Sequence, residues 1–407
     1  MKSCNLKNER YLGADQKPSL YDLTIPENWN NEIILFIHGY MGYKDWGCWN
    51  LVSDFFTQED FGFLKYNVSH NGTTIDNQTE FLDLSSFAEN NYAKELADFD
   101  AIIDLIKSNF TVLPKIHLIG HSRGGGIALL QAKNTDISKI ISWAAISNIE
   151  ERFPKNEMFE EWKNKGVYYR LNGRTNQEMP HNFSQYESFL ENKERLDIEA
   201  HCRNKSTEIL CIHGDKDEAV SINDGKLIST WIASDLSIIK DANHTFGSTE
   251  PWLYNELPEQ LLQACEKTKE FILSVSEEDE KLSLLSDLVK LAKSDDNVRE
   301  MEFQFLLSIA SQLGVSKSDF LQIFDRFIAY NPPKLEADRI LQLQRLILLM
   351  NVDSNISEKE IEYIKEAGMK MGLHPEAVAE VLRVMNDYPN RIIPPDHLIQ
   401  IFKVYHN

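Results

Sequence analysis

A serine stands between two glycines, Gly120 and Gly124, inside the run LIGHSRGGGIALL at Leu118–Leu130. Small residues at that spacing suit a chain that leaves a strand and enters a helix at once, because larger neighbours would collide in so tight a turn. Such a turn lifts the Ser122 oxygen clear of the sheet, at the positive end of the following helix. A serine hydroxyl is a poor nucleophile alone, so a base and an orienting acid are required. In a strand–turn–helix arrangement they follow the serine in the order acid, then histidine. The run EILCI at Glu208–Ile212 leads into HGDKDEAV and places Asp215 and Asp217 at the carboxyl end of a strand, where open α/β sheets meet ligands. A shorter run around Ile238–Ile239 leads into DANHTFG and His244. The candidate catalytic residues are therefore Ser122, Asp217 and His244. Asp217 is preferred because it is set back far enough from the strand end to reach a histidine; Asp215 is expected to support the turn.

A further element follows EIILFI in HGYMGYKDW, His38–Trp46. After Gly39, the backbone N–H of Tyr40 can point at the same spot as that of Arg123. Together they are the candidate oxyanion hole. His38 precedes this turn and is expected to hydrogen-bond in its support. His121 packs beside the serine turn, His213 ends a strand, and His117 alternates within one. His70, His181, His201, His397 and His406 show no metal-ligand spacing.

The elements that must hold these groups alternate. Buried strands are expected at Glu32–Ile37, Phe63–Asn67, Lys115–Ile119, Lys139–Ile146 and Glu208–Ile212, with a weaker one at Ser237–Lys240. Helical patterns lie between them, notably Tyr92–Phe110. The order predicts an α/β fold with a doubly wound, mostly parallel sheet over residues 1–275. About 60 residues separate Ile146 from Glu208, too many for a plain connection. This insertion, about 148–206, carries Phe153, Phe159, Trp162, Tyr168, Tyr169, Phe183, Tyr186 and Phe189 with Arg170 and Arg174. It is expected to form a small cap over Ser122.

After the acidic stretch Ser276–Lys281, read as a linker, the strand signal ends and residues 281–407 are predicted to be all-helical. A shift of 58 positions superposes Asp295 on Asp353, Glu300 on Glu358, Glu302 on Glu360 and Gly314 on Gly372. We read this as an internal duplication. Asp295, Glu302, Asp353 and Glu360 put carboxylates at helix starts, where the dipole favours them, and they are also the candidate ligands of a divalent cation. An EF-hand is excluded, since Glu300 stands where that loop needs glycine.

The 407 residues hold 42 basic and 63 acidic side chains, a formal charge of −21. That surface repels phosphate backbones and anionic headgroups, so neither nucleic acid nor membrane is an expected partner. No apolar run reaches the length that spans a bilayer. Five scattered cysteines, Cys4, Cys48, Cys202, Cys211 and Cys265, read as reduced thiols and point to a cytoplasmic location.

HGYMGYKDW, GHSRGG, HGDKDEAV and NHTFG together resemble the α/β-hydrolase fold over Glu32–Ile272. They are most similar to its dienelactone-hydrolase, serine-aminopeptidase and cinnamoyl-esterase-like branch. The loop after Tyr66 departs from that branch, reading SHNG where R-G-x-G-x-S is commoner. The resemblance implies a serine hydrolase, without cofactor, acting on a small-molecule ester. Two alternatives stay open: a peptidase or amidase acting on short peptides, and a non-catalytic stress-response adaptor. From Leu282 to about Val384, SDDNVREMEF, VDSNISEKEI and the Gly314 and Gly372 turns resemble the tellurite-resistance TerB-like family. That likeness implies a regulatory or interaction domain for a protein partner or a divalent cation.

Overall fold

The structure is a computed structural model that describes residues 3–274, 277–294, 298–324, 332–333, 335–352 and 356–405. The chain divides into two compact units, Met1–Ser274 and Val275–Asn407.

The first unit is built on an eight-stranded sheet. Its strands are β1 (Cys4–Leu12), β2 (Pro18–Ile25), β3 (Glu32–Ile37), β4 (Gly62–Tyr66), β5 (Lys115–His121) and β6 (Ile137–Trp143). A separate hairpin, β7 (Val167–Asn172) with β8 (Gln177–Asn182), interrupts the series before β9 (Glu208–Gly214) and β10 (Ser237–Ile239). The order across the sheet is β1-β2-β4-β3-β5-β6-β9-β10. From β4 to β10 every neighbour pair is parallel, while β1 and β2 run antiparallel. The parallel strands bury both faces. On β3, Ile33, Leu35 and Ile37 enter one core with Leu96, Phe99 and Leu118, whereas Ile34 and Phe36 enter the opposite core with Trp49, Trp143 and Leu261. This two-sided burial is why these strands read as continuous apolar runs.

Strands β1, β2, β7 and β8 fall outside the strands expected from the sequence. β1, CNLKNERYL, is a mostly exposed edge strand, and its pairing with β2 shifts register between Leu6 and Glu9. A polar edge strand carries no apolar run to betray it.

Among its described residues the second unit has helices, turns and loops but no strand. Helices Glu277–Ala292, Glu300–Gln312 and Lys317–Ile323 are followed by Glu336–Met350, Glu358–Lys370, Pro375–Val384 and Pro395–Val404. They enclose one core that includes Leu285, Leu288, Leu306, Leu346, Ile364 and Val381. Two features recur at the 58-residue spacing. Gly314 and Gly372 both end helices in the left-handed region, at φ +74° and +67°. Glu302 and Glu360 are both buried, and each accepts the N–H that opens its helix, from Arg299 and Ser357, at 2.7 Å.

Two expectations change here. Of the stretch Ser276–Lys281, the described part from Glu277 onward is helix rather than linker, and Ser276 lies outside the described residues. Acidic residues that look like a solvated tether are also what a helix start favours. Of the candidate cation ligands, Glu302 and Glu360 are engaged as helix caps, and Asp295 and Asp353 lie outside the described residues. Among the described residues, no three His, Cys, Asp or Glu side chains gather as a metal site. No described helix is long and apolar enough to cross a membrane.

Because each unit has its own apolar core, a chain ending at Ser274 is expected to fold alone, and a Val275–Asn407 fragment to melt cooperatively with a helical far-UV spectrum. Circular dichroism on both fragments checks this. Insoluble or unfolded fragments would mean that the two cores depend on each other.

Candidate active site

Strand β5 ends at His121, and Ser122 follows at φ +57°, ψ −116°. Helix Arg123–Leu129 begins at the next residue. The Ser122 N–H donates to the Trp143 carbonyl at 2.8 Å, and its own carbonyl accepts from Gly126 at 3.2 Å. Two glycines make the turn sterically feasible. A methyl on Gly120 would overlap the Gly124 carbonyl, and one on Gly124 would overlap the carbonyls of Ile37 and His38.

His244 lies on the loop after β10, with Nε2 2.9 Å from Ser122 Oγ and Nδ1 2.8 Å from Asp217 Oδ2. Asp217 is on the loop after β9, its side chain fully buried. Its Oδ1 accepts the N–H groups of Ala219 (2.9 Å) and Val220 (2.8 Å), and His213 Nε2 lies 3.2 Å from Oδ2. Burial would raise this carboxyl. Hydrogen bonds from His213, His244 and Val220 outweigh it and hold the group well below the usual carboxylate range. An ionised Asp217 can only accept, so His244 donates through Nδ1–H. Nε2 is then left bare to accept the Ser122 hydroxyl proton. Asp215 is exposed instead, and its N–H bonds the Ile239 carbonyl at 3.2 Å.

Two neighbouring histidines are tied to backbone. His121 Nε2 donates to the His244 carbonyl at 2.9 Å, and its ring packs on those of Trp49 and His244. His38 accepts the Val68 N–H at Nε2 (3.1 Å) and donates through Nδ1 to the Gly39 carbonyl (2.9 Å). Burial lowers their pKa values to about 3 for His121 and about 4 for His38.

The turn after β3 passes close to the serine, since a methyl on Gly39 would lie 3.0 Å from Ser122 Cβ. Among the described residues, neither the Tyr40 nor the Arg123 backbone N–H meets an acceptor in the chain. Further along the turn, Lys44 and Asp45 join Asp22 of β2 and Lys65 of β4 in a buried ionic cluster. Lys44 and Lys65 each lie 2.9 Å from Asp22, and both also pair with Asp45. The Arg123 side chain turns elsewhere, pairing with buried Glu95 at 2.7 Å and stacking on the Tyr92 ring at 3.8 Å.

Ser122 and His244 open on two cavities. The larger, about 850 Å³, is lined by Tyr40, Arg123, Phe153, Tyr168, Tyr169 and Arg170 among others. The smaller, about 230 Å³, lies against Trp46, Trp49, His121 and Arg174. The inserted segment supplies part of both walls. Most of its aromatics nonetheless pack on one another: Trp162 is fully buried among Phe153, Phe159, Tyr168 and Phe183. A third cavity, about 800 Å³ beside Arg152, Lys193 and Trp231, does not reach Ser122.

Four contributors carry no catalytic signal in the sequence. His213 ends a strand in the motif that carries Asp217, and its partner appears only in the fold. Glu95, Gln185 and His181 offered no local signal, because their partners are far away in sequence.

Comparisons with known proteins bear on both parts of the chain. Residues 254–324 match the model of the family described as tellurite resistance protein TerB. That match begins earlier than the expected Leu282 and leaves the segment toward Val384 uncovered. No curated protein matches the chain. Among solved structures, an Agrobacterium vitis S4 protein provisionally designated a hydrolase is 14% identical. It covers 67% of this chain and 98% of its own, at a TM-score of 0.50. Est1E from Butyrivibrio proteoclasticus, solved with ferulic acid bound, is 18% identical over 65% of this chain and 97% of its own, with a TM-score of 0.49. The acylaminoacyl peptidase of Pyrococcus horikoshii is 16% identical over 67% of this chain and 42% of its own, with a TM-score of 0.46. The first unit thus has the α/β-hydrolase fold. The helical region carries a TerB domain.

The buried histidines make stability depend on pH. Folded-state pKa values near 4 for His38 and His181 and 3 for His121 lie below the ordinary 6.5. As pH falls below 6.5, the unfolded chain takes up protons that the folded chain refuses, so stability is lost. Each histidine contributes on the order of 1–2 kcal/mol to that loss by about pH 5. The melting temperature is therefore expected to fall between pH 7 and pH 5, and His121→Phe should flatten the fall. Equal slopes for both proteins would count against a neutral, buried His121.

Proposed function

We propose that the first unit is a serine hydrolase that cleaves a carboxylic ester through an acyl-enzyme. The reading rests on one observation, the hydrogen-bonded line Ser122–His244–Asp217 opening on an 850 Å³ cavity. In this reading His244 Nε2 takes the Ser122 proton as Oγ attacks the ester carbonyl carbon. The C=O π electrons move onto oxygen, where the Tyr40 and Arg123 amides receive the charge. Asp217 stabilises the imidazolium formed at His244. Collapse expels the alkoxide, which takes the proton from His244, and water then repeats the sequence to release the acid. Two cavities that both reach Ser122 suit the acyl and alcohol parts of a small-molecule ester.

We further propose that the helical unit arose by duplication and acts as a regulatory or interaction module, for a protein partner or a divalent cation. A cytoplasmic location is part of the same reading.

A fluorophosphonate probe should label a single serine, and Ser122→Ala should abolish the label. Asp217→Asn should lower kcat on p-nitrophenyl esters roughly 10⁴-fold, and Asp215→Asn far less. No labelling of folded wild type would remove the proposal. Turnover of aminoacyl-nitroanilides without ester turnover would move the enzyme to the peptidases. For the helical unit, millimolar calcium or magnesium should raise the melting temperature of the intact chain, and Asp295→Asn with Asp353→Asn should cancel the rise. An unchanged melting temperature would leave these acids no role as cation ligands.

A further inference from the structure

Tyr40 carries one of the two backbone amides assigned above to the oxyanion hole, and its side chain is tied to the cap. Its hydroxyl lies 2.7 Å from Nε2 of His181, on strand β8. His181 Nδ1 lies 3.3 Å from Gln185 Oε1, and Gln185 Nε2 donates to the Ala88 carbonyl at 2.9 Å. The proton positions along this line follow from its far end. A carbonyl only accepts, so the Gln185 amide must present its nitrogen to Ala88 and its oxygen to His181. His181 therefore carries its proton on Nδ1, and its Nε2 accepts the Tyr40 hydroxyl. Burial lowers the His181 pKa to about 4, which keeps the ring neutral and able to accept.

The ring at the centre of this line has little freedom. His181 is 4% exposed, stacks on Tyr168 at 4.6 Å and meets Phe87 at 5.4 Å. Its carbonyl is held by the Trp162 indole N–H at 2.8 Å, which connects it to the aromatic core of the cap. Tyr40, His181 and Gln185 all line the larger cavity that contains Ser122 and His244. Tyr40, Ser122 and His244 also line the smaller one.

We infer that His181 is a positioning residue, which holds the Tyr40 ring through the Tyr40–His181–Gln185 line and so keeps the Tyr40 amide aimed at the oxyanion. The inserted segment is then a fixed part of the catalytic frame as well as a wall of the pocket. The inference rests on the serine-hydrolase reading. Its logic is geometric: the amide and the ring belong to one residue, so releasing the ring lets the peptide turn away from a position that only alignment makes useful.

The test uses the full chain and p-nitrophenyl acetate, a substrate too small to depend on contacts deep in the cap. His181→Phe keeps an aromatic ring but cannot accept the hydroxyl, and Tyr40→Phe removes the hydroxyl itself. Each should lower kcat by about 10–100-fold with KM changed less than about twofold. The double variant should be no worse than either single one, because both break the same contact. His181→Gln, which restores an acceptor, should recover part of kcat. Thermal melting of each variant identifies misfolded protein, and the Tyr40→Phe variant, which removes a single oxygen, carries the test if His181→Phe does not fold. Fluorophosphonate labelling separates the two readings. Wild type that stays unlabelled overturns the serine-hydrolase reading, and this inference with it. Labelled wild type with unchanged kcat in both single variants, or with additive losses in the double variant, overturns the positioning role alone.

Discussion

The close approach of backbone at Gly120 and Gly124 is the constraint on which the rest of the site depends. Ser122 is held at φ +57°, a conformation that costs a non-glycine residue about 1–3 kcal/mol. The turn persists because its surroundings over-determine it. β5 is hydrogen-bonded between β3 and β6, the Ser122 N–H is bonded to Trp143, and the helix behind presses against the end of β3 through Gly124. Side chains at these glycines would push the helix off the sheet. The same contact brings the end of β3 beside the serine, so the turn that carries Tyr40 starts where Ser122 already is.

The turn after β3 needs a second restraint, since it leaves the sheet at Ile37 and carries six residues of its own, 38–43, before Lys44. The buried cluster of Lys44, Asp45, Lys65 and Asp22 supplies it. Breaking one partner of such a cluster strands a buried charge, which is far costlier than the net worth of the intact set. Asp22 and Lys65 belong to paired strands β2 and β4, so the cluster ties the far end of the turn to the sheet. Lys44 N–H adds a bond to Asn67 Oδ1 at 2.7 Å, just past the end of β4. With Gly39 seated at Ser122 and Lys44 held at β4, the intervening peptides have few conformations left.

Legibility in the sequence followed how local each constraint is. Ser122, Asp217 and His244 each sit just beyond an apolar strand, so strand pattern and chain order sufficed to bring them together on paper. Asp217 lies beside His244 and Asp215 does not, because the residue next to the strand end is spent on the turn. Nothing local to Lys44 and Asp45 marks them for a buried cluster, because burial of that lysine depends on strands β2 and β4 closing over it. His181 and Gln185 were invisible for the same reason, since Tyr40 lies 141 residues from His181. Cap aromatics such as Trp162 and Phe183 pack against each other in the core of the cap. In the helical unit, periodicity and the 58-residue spacing were plain, because helices report their faces locally. The buried carboxylates of Glu302 and Glu360 explain why acids recur there at a fixed spacing without any ligand being required.

The arrangement of charge around His244 follows from these same contacts. Arg123, the residue after the serine, could place a full positive charge beside the reacting atoms. Its guanidinium instead pairs with Glu95, itself buried, and lies over Tyr92. Arg152, at the rim of the larger cavity, is paired with Asp224 at 2.7 Å in the same way. Burial keeps His38, His121 and His181 neutral. The carboxylate directly bonded to His244 is that of Asp217, held ionised by its hydrogen bonds. A proton placed on His244 would therefore meet the Asp217 carboxylate, with the Arg123 and Arg152 charges already paired to Glu95 and Asp224. On the proposed serine-hydrolase reading, an oxyanion formed at the same time would face the Tyr40 and Arg123 amides in place of a mobile cation. Fixed dipoles of this kind need no reorganisation as charge develops, which is the physical advantage of spending buried residues such as Glu95 on neutralising their neighbours.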